Sequence, residues 1–172
     1  MHRKLLTVVL VAGTALGLTA CVPDTSTPTP APSPSVTAPL FASDEDALAA
    51  AEKVYREYLA ATNSGPDLVR LEAVTTAEWF AYEKESAEQR VATGLRAEGE
   101  SEIVSFDLQS RSRSDVIVYV CLDVSRVRVL NERGEDVTPS DRAGQGTLEV
   151  RFAVTQAGLR VDGSDLWSNS CS

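Results

Sequence analysis

The chain has 172 residues, 16 Lys and Arg against 25 Asp and Glu, and a formal charge of −9. Such an acidic surface offers no positive field for nucleic acid or for an anionic membrane face, and it describes a well-solvated exterior. There are three cysteines and a single histidine, His2, near the start of the chain.

Residues Met1 to Lys4 form a short segment made basic by Arg3 and Lys4, and an apolar run follows from Leu5 to Ala20. The run is shorter than the ~20 residues of a comfortable bilayer span. It has the proportions of the central region of a signal peptide. It ends in Leu18-Thr19-Ala20-Cys21, which resembles the bacterial lipobox. That resemblance implies that residues 1–20 are a lipoprotein signal peptide and that the Cys21 thiol takes a palmitate-type diacylglycerol anchor. The mature chain would then be held on the extracytoplasmic face of the cell membrane. An ordinary signal peptide with a coincidental cysteine is the alternative. Cleavage removes His2, and the loss of Arg3 and Lys4 lowers the formal charge from −9 by two, to −11.

With Cys21 acylated, Cys121 and Cys171 remain, and an oxidising compartment favours their pairing. Two free buried thiols are the alternative.

Residues 21–41 hold the lipidated cysteine and a Pro/Thr/Ser-rich linker containing six of the eight prolines. Such a segment has too little apolar surface to fold. Extended at about 3.1 Å per residue, it reaches roughly 60 Å from the bilayer. Residues 42–172 are then one domain of ordinary size.

Ser43 followed by Asp44-Glu45-Asp46 reads as a helix start. Leu48, Ala51, Tyr55, Tyr58 and Leu59 continue at helical spacing until Asn63-Ser64-Gly65-Pro66. A short second helix spans about Pro66 to Val74. Thr75 with Glu78 forms a capping-box pattern opening a third helix, which carries Trp79, Phe80, Tyr82, Ala87, Val91 and Leu95 and fades between Gly94 and Gly99. Strand-like alternation then begins, with Val104, Phe106 and Leu108 on one face. The run from Val116 to Leu122 predicts a central strand covered on both sides. Val127 and Val129 alternate next, then Leu148, Val150, Phe152 and Val154. Ala157-Gly158 turns into a last strand reaching Trp167.

Helices first and consecutive strands afterwards predict an α+β domain with an antiparallel sheet. That order resembles the NTF2-like (cystatin-like α+β) fold. The segments Val120 to Ser125, Asp136 to Pro139, and Leu166 to Cys171 resemble those of bacterial lipoproteins of this kind. In that group a central-strand cysteine pairs with one just beyond a Trp-bearing last strand. The resemblance implies N-terminal helices packed on a curved sheet to form a cone, lined here by Trp79, Phe106, Tyr119, Phe152 and Trp167.

Without an imidazole the mature chain has no Ser-His-Asp or Cys-His nucleophile and no His-containing metal site. Asp44-Glu45-Asp46 is explained by the helix dipole. Gly144-Gln145-Gly146 does not open a helix and so is not a phosphate loop. Neither a metal nor a cofactor is expected. Relatives of this fold include ketosteroid isomerases and polyketide cyclases that use an Asp base with a Tyr or Asp donor. Here that chemistry would fall to Asp107 or Asp123 with Tyr119. The favoured expectation is a non-catalytic, lipid-anchored module that binds an envelope protein or small ligand, with homodimerisation through the sheet open. A cone-pocket enzyme is the alternative. A two-lobed transporter receptor is disfavoured, because about 130 residues make only one lobe.

Overall fold

The computed structural model describes residues 40–63 and 65–171. The expectations for residues 1–39, Cys21 and its lipid among them, lie outside the described residues.

Three helices come first: α1 (Asp44–Thr62), α2 (Leu68–Val74) and α3 (Ala77–Ala92). Ser43 caps α1 by accepting from the Asp46 N–H at 3.0 Å, ahead of the acidic first turn. The buried stripe of α1 is Ala47, Ala51, Tyr55, Tyr58 and Ala61. The expected Leu48 and Leu59 flank it half-buried. Alanines at the centre of the stripe let the helix axis approach the sheet, and the leucines close its sides.

Asp67 caps α2 by accepting from the N–H groups of Val69 and Arg70. Thr75 does not open α3 as the capping-box pattern predicts; Thr76 does, accepting from the Trp79 N–H at 3.3 Å. Thr75 is buried, bridges to Val161, and donates its hydroxyl to the Leu71 carbonyl at 2.6 Å. That position requires its polar group to be satisfied internally, so the capping role passes to its neighbour.

Six strands follow: β1 (Arg96–Glu98), β2 (Glu102–Arg111), β3 (Asp115–Asp123), β4 (Arg128–Leu130), β5 (Gln145–Thr155) and β6 (Gly158–Ser168). The fold is α+β, with a four-stranded antiparallel sheet in the order β2-β3-β5-β6 and a small β1-β4 ribbon. Strand β1 lies where the sequence shows only a fading helix; three exposed residues carry no readable alternation.

The helices pack on one face of the sheet, where Val116, Val118, Val120, Val150, Phe152 and Val161 have no exposed surface. The expectation that β3 is covered on both sides does not hold among the described residues. Its alternate residues Ile117 and Tyr119 are only half-buried on the other face, and of that set Cys121 alone is fully covered. Val104 also departs from the expected inward set. A bulge between Ile103 and Ser105 takes it out of register and leaves it 55% exposed.

Cys121 and Cys171 lie at disulfide distance, with Cα atoms 5.5 Å apart. The chain beyond β6 doubles back across β5 to reach β3, helped by a hydrogen bond from the Thr147 hydroxyl to the Ser170 carbonyl at 2.9 Å.

Candidate functional site

Helix α3 packs loosely. Tyr82 is 56% exposed and Val91 80% exposed, and the one buried residue of α3 is an acid, Glu83. A cavity of about 520 Å³ opens between α1, α3, the β1 segment and the core face of β3 and β5. Its apolar wall includes Leu59, Val91, Leu95, Leu122 and Leu148, and its polar wall includes Tyr58 and Glu83. That volume lies within the range of ordinary small-molecule pockets, which combine apolar walls with a few fixed polar groups.

The polar groups form a line. The Tyr58 hydroxyl donates a short hydrogen bond to Glu83 Oε1, joining α1 to α3. Burial pushes the Tyr58 hydroxyl well above the ordinary phenol range, and the adjacent Glu83 charge and hydrogen bond push it further. Burial, then the same charge, raise Tyr55 as well. Tyr58 is therefore a fixed donor and Glu83 the acceptor. Trp79 Nε1 is buried without a partner at normal hydrogen-bond geometry, yet it lies near enough to Tyr58 to oppose part of that rise. The Trp79 ring stacks on Tyr82 with centroids 4.6 Å apart.

The residues expected to line a cone divide. Phe152 is fully buried in the core, and Phe106 packs on Tyr55 with ring centroids 5.8 Å apart. Trp79 is half-buried beside Tyr58. Tyr119 and Trp167 are not in the cavity. They lie on the opposite face of the sheet with ring centroids 5.0 Å apart, and Trp167 is 63% exposed. The parity of β3 decides this, because Val116, Val118 and Val120 occupy the core side and so put Tyr119 outside.

The acid candidates follow Tyr119. Asp107 is its cross-strand partner and is exposed, as the alternation with Phe106 and Leu108 predicts. Asp123 ends β3 and is occupied as a turn acceptor. Hydrogen bonds from the Ser125 hydroxyl, the Gln145 amide and the Ser125 backbone hold its carboxyl below the usual carboxylate range. Neither acid reaches the cavity.

Sequence reasoning passed over Glu83 and the role of Tyr58. A signal was there: Glu83 stands four residues after Trp79 and four before Ala87, on the apolar side of its own helix. Among the described residues no group of three or more His, Cys, Asp or Glu side chains is placed to hold a metal ion. Among them, too, no helix is long and apolar enough to cross a membrane.

No protein-family model matches the chain, and no curated protein matches it. Among solved structures, it is similar to the intermembrane space region of the chloroplast protein ARC6. The TM-score is 0.52 at 12% identity, over 70% of this chain and 96% of that one. A likeness at that identity speaks for the α+β fold alone.

Proposed function

We propose that the protein is an extracytoplasmic lipoprotein, anchored through acylated Cys21, whose NTF2-like domain is a non-catalytic binding module. The anchor is supported by the basic start, the short apolar run and Leu18-Thr19-Ala20-Cys21. The NTF2-like reading is supported by three helices preceding an antiparallel sheet and covering one of its faces. The observation that carries the binding reading is the cavity beneath α3, apolar in its walls with Tyr58 and Glu83 set into them.

A second reading, an enzyme of ketosteroid isomerase or polyketide cyclase type, draws on the same pair. Glu83 would be the base in place of Asp107 or Asp123, because it alone of the three lines the cavity.

Two experiments test the proposal. Wild-type chain fed alkyne-palmitate incorporates label, and Cys21→Ser does not and is released to the medium; a Cys21→Ser protein that stays membrane-bound removes the anchor. For binding, the full chain carrying Cys21→Ser, free of its own lipid, is mixed with the neutral dye Nile red. Fluorescence rises on uptake into the cavity, and Ala87→Trp, which fills it, abolishes the rise. A dye response indifferent to Ala87→Trp, or none at all, refutes the cavity as a binding site.

A further inference from the structure

Glu83 is 9% exposed, and the hydroxyl of Tyr58 is its hydrogen-bond donor. It takes part in no ion pair among the described residues. A carboxylate offers about four acceptor sites, so one hydroxyl leaves most of them unused. A buried charge without a counter-charge is costly, and the cost is relieved by a cation with hydrogen bonds to give. The donor order reinforces this. Tyr58 is held protonated, so its proton points at Glu83 and the pair presents acceptor capacity to the cavity. The same cavity is lined by the hydrocarbon side chains of Leu59, Val91, Leu122 and Leu148.

We propose that the cavity binds an apolar amine, its ammonium group paired with the Glu83 carboxylate beside Tyr58 and its hydrocarbon body against those four side chains. The proposal rests on the cavity being a binding site, and it names the ligand class. Two arginines share the lining, but neither pairs with Glu83. Arg96 donates to the Asn131 carbonyl, and Arg90 is exposed two turns further along α3. They make an anionic ligand the competing outcome. Amine and anion call for opposite charges in the lining, so one comparison separates them.

The test is displacement of Nile red from the full chain carrying Cys21→Ser by n-octylamine, n-octanol and octanoate, which share a hydrocarbon tail and differ in the head. Octylamine is expected to displace the dye at a concentration about tenfold or more below that of octanol, a charge-assisted contact against a neutral one, with octanoate the weakest. Glu83→Gln should bring octylamine to the level of octanol and leave dye uptake intact, which a merely structural tether between α1 and α3 would not do. The ranking on the otherwise unaltered pocket stands by itself if that variant does not fold. Octylamine no better than octanol, or octanoate tightest of the three, overturns the amine assignment alone. Failure of dye and all three probes to enter overturns the binding reading, and this assignment with it.

Discussion

The Cys121–Cys171 link closes a loop of 50 residues that contains the β4, β5 and β6 sequences, so its removal frees that stretch in the unfolded chain. On the loop-entropy model a closure of that length stabilises the fold by about 4 kcal/mol. The native geometry costs little against this gain. The Cα atoms are 5.5 Å apart, within the usual range, and the tail that delivers Cys171 is also held by the Thr147–Ser170 hydrogen bond. The perturbation is Cys121→Ala with Cys171→Ala, which leaves no free thiol to exchange. Urea unfolding of the double variant should show a loss of about 3–4 kcal/mol, and thermal unfolding a fall of roughly 10–20 °C. The m-value should rise, because an unlinked chain exposes more surface when it unfolds. A loss below about 1 kcal/mol, with m unchanged, would refute the reasoning: the link would then pin a frayed tail rather than constrain the unfolded chain.

Three other outcomes follow from single features. Tyr58→Phe strips Glu83 of its donor in a buried site and should cost about 1.5–3 kcal/mol in urea unfolding; a cost under about 0.5 kcal/mol would show the hydroxyl to be idle. The hydroxyls of Tyr55 and Tyr58 ionise less readily folded than unfolded, so their contribution is intact below about pH 10 and declines as pH rises beyond it. The urea midpoint should therefore fall more steeply above that pH than it does in a Tyr55→Phe/Tyr58→Phe protein, and parallel curves would count against it. At Gly99, φ is +100°, and an added Cβ would clash with the Arg126 carbonyl oxygen. Gly99→Ala should thus cost about 2 kcal/mol or more by thermal unfolding, whereas a neutral result would mean that the β1–β2 connection shifts freely.

The architecture was readable where one physical rule acted alone. Helical spacing located α1 because Tyr55 and Tyr58 repeat on a single face. Period-two alternation placed Phe106, Leu108 and Phe152 inward and Asp107 outward. The rule weakened wherever a local irregularity changed the count. One bulge shifted Val104, a buried threonine passed its cap to Thr76, and the three residues of β1 were too few and too polar to show a period.

The candidate site was missed for a different reason. The resemblance places Tyr119 and Trp167 in the cone, and aromatic character alone does not tell one face of a sheet from the other. A sheet covered on one face keeps aromatics on its other face too, where each ring shields its neighbour while Trp167 stays largely in solvent. The opposite error hid Glu83, since a charged residue on a helix is ordinarily assigned to solvent. Within α3 the relation is inverted. Tyr82 is largely in solvent, and the acid turns in toward Tyr58, 25 residues earlier in the chain. No rule confined to one helix can find that pairing, because it depends on how α3 meets α1. A buried acid and the volume beside it therefore belong to one junction, where Glu83 of α3 meets Tyr58 of α1.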